Sequence, residues 1–142
     1  MSAADNKKLM ENIFARIGAG DRSLFVASLA DDVTMTVTGQ YSWSQTFRGR
    51  EAVLRDLYGY VRSLLQEGSR TLAFRFIADD DWVVVEARGD MVTKAGERYD
   101  NHYCLIYRIE DSRIREIREY QDSTLCERVL GPFPSDRKQP AS

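Results

Sequence analysis

The amino-acid sequence predicts an α+β fold in which a curved sheet wraps around one long helix. Hydrophobic patterns follow one another in the order helix, helix, strand, helix, and then continue as four strand-like runs. The connections between those runs are short and polar, which favours antiparallel hairpins over crossover helices. At 142 residues, the chain fits a single domain with one hydrophobic core. Because helices only partly fill such a sheet, we expect a pocket at the mouth of the resulting cone.

Two helices are predicted at the beginning of the chain. Apolar residues at helical spacing indicate a first helix from about Asp5 to Ile17, which Gly18-Ala-Gly20 ends. Asp21 is placed to cap a short second helix that stops at Ala30-Asp-Asp32. The apolar stripes of the two helices consist of Leu9, Met10, Ile13, Phe14 and Ile17, and of Leu24, Phe25 and Leu29.

A first strand and the long helix come next. Val33 to Thr38 alternates with Thr in a β-branched strand, and a turn-rich aromatic stretch follows over residues 39–47. From Gly49 the apolar period returns to that of a helix, which predicts a third helix that ends near Gly68. Its stripe consists of Val53, Leu54, Leu57, Val61, Leu64 and Leu65.

Four strand-like runs and a short helix complete the predicted domain. The runs span about Leu72 to Ala78, Trp82 to Thr93, Tyr99 to Ile109 and Arg113 to Gln121. Residues 123–130 suit a short last helix, and Gly131-Pro-Phe-Pro with the polar residues after it is typical of a loose end. We therefore expect a single domain over residues 1–131 and a flexible C-terminal tail over residues 132–142.

One predicted strand carries charges on a face that a sheet normally keeps apolar. Side chains alternate between the two faces of a strand, so Glu86, Arg88 and Asp90 share a surface with Trp82 and Val84. If a pocket encloses that surface, an acid, a base and a cation are suited to proton-transfer chemistry. If it is open, the charges form a ladder of ion pairs on a solvated face. The pattern by itself leaves both interpretations open.

Composition and charge exclude several classes of function. There are 20 Lys and Arg residues against 22 Asp and Glu residues, with no basic block, so nucleic acid is not an expected partner. The first residues lack the apolar core of a signal peptide, and no segment is apolar enough to cross a membrane, so we expect no membrane partner and a cytoplasmic protein. Cys104 and Cys126 have no CxxC partner and are expected to be buried thiols. Because a metal normally needs three or four ligands and His102 is the single histidine, we expect no metal site. No cofactor is expected either.

The order and spacing of several motifs resemble a known family. They are Gly18-Ala-Gly-Asp21, Leu29-Ala-Asp-Asp-Val33, Phe47-Arg-Gly-Arg-Glu-Ala-Val53 and Ile114-Arg-Glu-Ile-Arg-Glu-Tyr-Gln-Asp122. Together they resemble the SnoaL-like and ketosteroid-isomerase-like branch of the nuclear-transport-factor-like superfamily, over about residues 6–130. The resemblance implies a cone-shaped α+β barrel with a curved mixed or antiparallel sheet, the nuclear-transport-factor-like or cystatin-like fold. It also implies a homodimer formed through the outer face of the sheet.

The resemblance also suggests which residues carry the chemistry. Arg88-Gly-Asp90 followed by Asp122 is similar to the arginine and two aspartates of limonene-epoxide-hydrolase-like enzymes, in which one aspartate is the base, the other is the acid and the arginine orients both. Asp122 also resembles the acid/base aspartate that SnoaL-type polyketide cyclases carry on the last strand. The implied catalytic residues are therefore Asp122, Asp90 and Arg88, and the candidate substrate-binding residues are Tyr120, His102, Tyr41, Trp43 and Thr38.

The leading hypothesis is a cofactor-independent acid/base enzyme that acts on a small, largely apolar molecule in the cone pocket. Isomerisation or cyclisation through an enol, epoxide opening and dehydration all suit two carboxylates with an arginine. Steroid isomerases place their base aspartate on the first strand, where this chain has Val37, so classical steroid isomerisation is disfavoured. The alternative is a non-catalytic module of the same fold that binds a small molecule or serves as a dimeric interaction surface.

Overall fold

Strand order and direction define the frame of the molecule. In the computed structural model, which describes residues 2–140, six strands form one sheet. They are β1 (Leu29–Val37), β2 (Gln45–Arg48), β3 (Arg70–Asp79), β4 (Trp82–Asp90), β5 (His102–Glu110) and β6 (Arg113–Gln121). Their order is β2-β1-β6-β5-β4-β3, and neighbours are antiparallel except for β1 and β6, which run parallel. The predicted α+β class with a mixed sheet is confirmed.

The β1 edge of the sheet differs in detail from the prediction. β1 begins at Leu29 rather than at Val33, because Leu29 already pairs with Ile114 of β6. β2 lies inside the aromatic stretch that was expected to be a turn, and its Phe47 pairs with Met35 and is fully buried. The aromatic residues of this stretch are therefore part of the core rather than of a surface loop.

Helices cover the concave face of the sheet. Helix α1 (Ala3–Gly18) begins with a capping box between Ser2 and Asp5 and packs against β3 and β4. Helix α2 (Ser23–Ser28) follows a turn in which Asp21 Oδ1 accepts a hydrogen bond from the Ser23 backbone N–H at 2.9 Å. Helix α5 (Ser123–Leu130) extends from the end of β6, and a 3-10 turn (Ser135–Arg137) comes later. None of the described helices is both long and apolar enough to span a bilayer.

The long third helix has a π-helical middle. Helix α3 (Arg50–Ala52), a π-helix (Val53–Gly59) and helix α4 (Tyr60–Leu64) follow one another without a break, and residues 50–64 are named the central helix below. It ends at Leu64 rather than near Gly68, because Leu65 has extended backbone and pairs with Thr93. Short π-helical segments frequently occur at functional sites. In this protein the π segment contains Tyr58, which lines the cavity described below.

Alternation along the strands separates an inner from an outer face of the sheet. On β4, Val83, Val85 and Ala87 are buried and join the core that packs against the helices. Large apolar side chains remain exposed elsewhere on the strands, with exposed fractions of 58% for Phe74 and 55% for Ile77. The inner face therefore builds the core, while the outer face keeps apolar area in contact with water.

The segment that was expected to be a flexible tail is anchored along part of its length. The Phe133 side chain is 3% exposed, and its ring centroid lies 5.0 Å from that of Trp43 and 5.3 Å from that of Tyr60. Further along, the Gln139 backbone N–H donates to Gln45 Oε1 at 2.9 Å. The reason for the difference is the Phe133 ring, which packs against the rings of Trp43 and Tyr60, although its Gly-Pro-Phe-Pro segment is typical of a loose end. Residues 1, 141 and 142 of the predicted domain and tail lie outside the described residues.

Candidate functional site

A cavity of about 850 Å³ lies between the helices and the inner face of the sheet. Residues of α1, α2, the central helix, β5, β6 and α5 contribute to its wall. Most of that wall is apolar or aromatic, including Phe14, Phe25, Trp43, Leu57, Tyr58, Leu105 and Tyr107. The volume and the lining suit a small, largely apolar organic molecule.

Glu119 places a carboxyl group on the wall of this cavity. It follows Ile117 by two residues on β6, so its side chain lies on the same inner face. Burial disfavours the charged form and raises the pKa of Glu119 to about 7. Among residues 2–140, no side chain donates a hydrogen bond to this carboxyl; its backbone oxygen accepts one from Thr38 Oγ1 at 2.9 Å. Glu119 therefore presents an unpartnered carboxyl group that exchanges its proton near neutral pH.

Tyrosine side chains surround this carboxyl group. Tyr58, Tyr103 and Tyr107 line the same cavity. Burial is the main cause that raises the pKa of each, and the nearby charge of Glu119 adds to the rise. Their hydroxyl groups therefore stay protonated at neutral pH and are available as neutral hydrogen-bond donors.

A network of hydrogen bonds fixes the polar part of the wall next to Glu119. Gln121 Nε2 donates to Tyr41 Oη at 2.8 Å. Gln121 Oε1 accepts from Tyr99 Oη and from Asn101 Nδ2, each at 3.1 Å. Asn101 is fully buried, and its Oδ1 accepts the backbone N–H of Asp122 at 3.1 Å. The network joins the beginning of β5 to the end of β6 and holds that part of the wall in place.

The two cysteines are free thiols in different surroundings. Cys126 is buried and lines the cavity, while Cys104 is partly buried on β5. Burial raises the pKa of Cys126 to about 11, so this thiol stays protonated and unreactive at neutral pH. Within residues 2–140, no group of three or more His, Cys, Asp or Glu side chains is arranged to hold a metal ion.

The charged face of β4 lies on the outside of the sheet. Arg88 is exposed, and Asp90 Oδ1 accepts a hydrogen bond from Arg98 Nη2 at 2.7 Å with the Asp90 side chain 44% exposed. Glu86 forms an ion pair with Arg75 at 2.9 Å. The expectation of an enclosed charged face is corrected, because Val83, Val85 and Ala87 occupy the core face and alternation turns the charges outward.

Asp122 is the N-cap of α5 and does not join Arg88 and Asp90 in one pocket. Its Oδ1 accepts the backbone N–H of Leu125 at 3.1 Å, and the residue is exposed. Glu119 and Gln121 face the cavity, so Asp122, one position after Gln121 and just beyond the end of the strand, falls on the outward side. The structure gives this side chain a capping role outside the cavity wall.

Two of the predicted substrate-binding residues lie on the outer face. His102 is exposed and stands opposite Arg88 across the β4 and β5 pair. Tyr120 is 42% exposed and lies 6.0 Å below the Arg118 guanidinium. Neither side chain lines the cavity, because each falls on the strand face opposite to the inward positions of β5 and β6.

The other predicted substrate-binding residues lie in or behind the cavity wall. Trp43 lines the cavity, and its Nε1 donates to the Gly131 backbone oxygen at 2.9 Å. Tyr41 and Thr38 support the wall from behind through the bonds to Gln121 and to the Glu119 backbone described above. Of the predicted binding residues, Trp43 is the one that faces a ligand in the cavity directly.

Glu119 was missed at the level of sequence because β6 does not alternate strictly. The pairing of β6 with β5 shifts register at a bulge that leaves Arg115 as an extra residue. Ile114 and Ile117 are therefore both buried although they are three residues apart. From Ile117 onward the alternation is regular and turns Glu119 and Gln121 inward. The available signal was a carboxyl group two residues after a core isoleucine.

Comparisons with known proteins agree with this architecture. The model of the SnoaL-like domain matches residues 10–117. An LEH-like epoxide hydrolase from M. tuberculosis superposes with a TM-score of 0.68 at 20% identity, over 90% of this chain and 91% of that chain. An NTF2-like protein from Burkholderia xenovorans gives a TM-score of 0.70 at 22% identity, over 91% and 98%. PrhC from Penicillium brasilianum gives a TM-score of 0.76 at 14% identity, over 91% of this chain and 88% of that chain. A search of the curated proteins found no match.

Proposed function

The chain belongs to the SnoaL-like domain family, and on that basis we propose that it is a cofactor-independent acid/base enzyme in which Glu119 transfers the proton. Its substrate is a small, largely apolar molecule that binds in the cavity of about 850 Å³. The fold is shared with an LEH-like epoxide hydrolase, but a fold alone does not decide the reaction. The reaction is therefore inferred from the residues of the cavity wall.

The unpartnered carboxyl group of Glu119 is the observation that carries this proposal. A group with a pKa of about 7 is present in both protonation states near neutral pH. The same carboxyl group can therefore accept a proton from a substrate and return it in a later step. A half-buried acid whose carboxyl group has no compensating partner is costly for the fold, and such groups are concentrated at functional sites.

The tyrosines supply the second part of the machinery. A proton removed from carbon leaves negative charge on an adjacent carbonyl oxygen, and a hydroxyl donor aimed at that oxygen stabilises it. Tyr58, Tyr103 and Tyr107 line the cavity together with Glu119, and their raised pKa values keep them protonated. An apolar, enclosed wall strengthens each of these interactions.

Proton transfer at a carbon next to a carbonyl is the reaction that this arrangement favours. The Glu119 carboxylate takes the proton, the C–H electron pair forms the C=C bond of an enolate, and a tyrosine hydroxyl donates to the enolate oxygen. Where the substrate carries a C=C bond conjugated with the enolate, return of the proton to the far carbon of that bond moves the double bond, re-forms the C=O bond and gives isomerisation. Attack of the enolate carbon on a second carbonyl of the same molecule gives cyclisation, and the proton then goes to the oxygen of the attacked carbonyl. Either route restores the Glu119 carboxylate.

Epoxide opening is less favoured than these two reactions. It needs an acid at the epoxide oxygen and a base for the attacking water at the same time. Of the described residues, the carboxyl groups that line the cavity are those of Glu119 and the exposed Glu67. Asp90 and Asp122, which were implied as that pair, point away from the cavity. One enclosed carboxyl group with neutral donors around it suits a proton shuttle better.

The proposal is tested by hydrogen exchange and turnover in deuterated water. A β,γ-unsaturated cyclic ketone, an aromatic polyketide and a terpenoid epoxide are each incubated with the protein and followed by NMR and ultraviolet absorbance. We expect deuterium incorporation next to the carbonyl, and we expect Glu119→Gln to lower kcat/KM by about a hundredfold or more. Asp90→Asn and Asp122→Asn each remove one carboxyl group outside the cavity and serve as matched controls.

The outcomes of this experiment separate the competing hypotheses. Loss of turnover in Glu119→Gln, with turnover kept in both controls, supports the proposal. Loss of turnover in Asp122→Asn with normal turnover in Glu119→Gln contradicts it and returns the chemistry to the implied aspartates. Ligands that raise the Tm of the wild type without exchange or turnover indicate the non-catalytic binding module instead.

A further inference from the structure

One part of the cavity wall carries an excess of positive charge. Arg22, Arg62, Arg70 and Lys94 line the cavity there, together with Glu67, and these five residues are named the rim. They come from the turn before α2, from α4, from the loop after it, from the beginning of β3 and from the loop after β4. Four cations against one carboxylate make the rim attractive to an anionic group.

Arg70 and the pair of Arg22 and Arg62 differ in what their side chains contact. Arg70 Nη1 donates to the Gly18 backbone oxygen at 2.6 Å, and its Nε donates to the Gly68 backbone oxygen at 3.1 Å. Arg70 therefore joins the end of α1 to the loop before β3. The guanidinium groups of Arg22 and Arg62 form no hydrogen bond with any residue in the described range 2–140, and no carboxylate in that range lies within 4.0 Å of them.

The two free guanidinium groups are close enough to repel each other. Burial lowers the pKa of Arg62, and the charge of Arg22 lowers it further. Both side chains are exposed, so water screens part of this repulsion, and an anion bound between the two guanidinium groups would remove the rest. The planar guanidinium presents paired donors that match the oxygens of a carboxylate or a phosphate.

Position along the central helix connects this charge to the proposed catalytic group. Tyr58 lies near enough to Glu119 for the carboxylate charge to raise the tyrosine pKa. Arg62 follows Tyr58 by four residues, so the two side chains share one face of the helix, about 6 Å apart along its axis. The apolar residues Leu54 and Val61 line the cavity along this helix. One molecule can therefore reach from Glu119 to Arg62.

We propose that the substrate is an amphipathic anion, with an apolar body in the cavity and a terminal anionic oxygen group bound between Arg22 and Arg62. The inference rests on the proposed function insofar as it takes the cavity to be the substrate site. A carboxylate and a phosphate ester share the recognising chemistry. The reactive carbon of such a substrate lies at the opposite end from the anionic group, beside Glu119.

Binding of matched probes tests this inference without any turnover. Decanoate, decyl phosphate, decanol and decylamine have the same apolar chain and differ in the head group, and calorimetry gives the Kd of each. We expect the wild type to bind decanoate or decyl phosphate about tenfold more tightly than decanol, and decylamine most weakly. The tighter of the two anions identifies the preferred head group. In the double variant Arg22→Gln, Arg62→Gln this preference disappears while the Kd for decanol is unchanged.

Matched variants make each result decisive. Arg16→Gln removes one exposed arginine outside the cavity wall and must keep the preference for anions. Added salt weakens the binding of the anions in the wild type but not that of decanol, which serves as a second measurement if the double variant does not fold. Equal Kd values for decanoate, decyl phosphate and decanol, an anion preference that survives in the double variant, or no binding of any probe would overturn the inference. Glu119→Gln keeps the preference, so a failure of the acid/base proposal is distinguishable from a failure of this one.

Discussion

The inward face of β6 and the outward face of β4 carry the same kinds of side chain in opposite surroundings. On β6, the Glu119 carboxyl group lies in the wall of an apolar cavity with no donor among the described side chains. On β4, Glu86 and Asp90 lie near solvent and form ion pairs with Arg75 and Arg98. A carboxyl group becomes suitable for proton transfer when an apolar cavity encloses it, and neighbouring charges on the same strand do not have this effect.

The energetic consequences of the two surroundings differ as much as their chemistry. Exposed ion pairs such as that of Glu86 with Arg75 typically contribute less than about 1 kcal/mol each. A shift of the Glu119 pKa from 4.5 to about 7 corresponds to a cost on the order of 3 kcal/mol for holding the charged form in the fold. The inward carboxyl group should therefore dominate the pH dependence of stability near neutral pH.

The largest effect expected is on the free energy of unfolding. The folded protein binds the Glu119 proton more tightly than the unfolded chain does, so the contribution of Glu119 to stability is largest below the ordinary pKa of 4.5 and falls until the pH passes about 7. Denaturant unfolding of the wild type should show a fall on the order of 3 kcal/mol across this window. In Glu119→Gln that fall should be absent.

The other groups with clearly shifted pKa values that bear on this window titrate outside it. Hydrogen bonds to Arg55 and Arg98 lower the pKa values of Asp56 and Asp100, so those carboxyl groups act at lower pH and in the opposite direction. Burial raises the pKa values of Tyr41 to about 12 and of Cys126 to about 11, so these groups act at higher pH. Glu116→Gln removes an outward carboxyl group of the same strand and should keep the fall. Parallel curves for the wild type and Glu119→Gln would show that Glu119 is not enclosed.

A second effect concerns the outer face, where the homodimer implied by the family resemblance stays a prediction. Ile77 is 55% exposed on that face, beside Val84 of β4. Burying an isoleucine side chain contributes about 2 kcal/mol, so a second copy of the chain would gain from covering it. We expect light scattering to find a dimer for the wild type and a monomer for Ile77→Asp. The titration of Glu119 should be the same in the variant as in the wild type. A monomeric wild type would contradict the prediction.

The smallest effect expected is at the N-cap of α5. Asp122→Ala removes the acceptor of the Leu125 backbone N–H and should lower the free energy of unfolding by about 1 kcal/mol. Asp122→Asn keeps an acceptor and should restore most of that loss. Urea unfolding at one pH checks both variants. An Asn variant as unstable as the Ala variant would indicate that the charge of Asp122, rather than its capping bond, contributes the stability.

Much of the fold could be predicted from periodicity alone. β6 occupies the predicted residues 113–121, and α5 occupies the predicted residues 123–130. These elements were predictable because local pattern and tertiary burial agree in them. β2 was not, because its pairing with β1 lies in a stretch whose local residues are typical of turns.

The site was less predictable than the fold. The spacing of two placed the charges of β4 on one face of the strand. The sequence does not state which of the two faces the helices cover, and the face with Val83 and Val85 was equally suited to the core. Glu119 was hidden by the bulge at Arg115, which changes the phase of β6. The raised pKa of Glu119 comes from residues distant in sequence that enclose it, and no local pattern reports such enclosure.

Titration of the Glu119 carboxyl group itself tests the central claim most directly. Carbon NMR of protein with labelled glutamate side chains resolves the carboxyl resonances, and the resonance missing in Glu119→Gln identifies the group. The enclosed carboxyl group should titrate with a midpoint of about 7. A midpoint close to the ordinary value of 4.5 would contradict the claim that this carboxyl group is enclosed and suited to transfer protons.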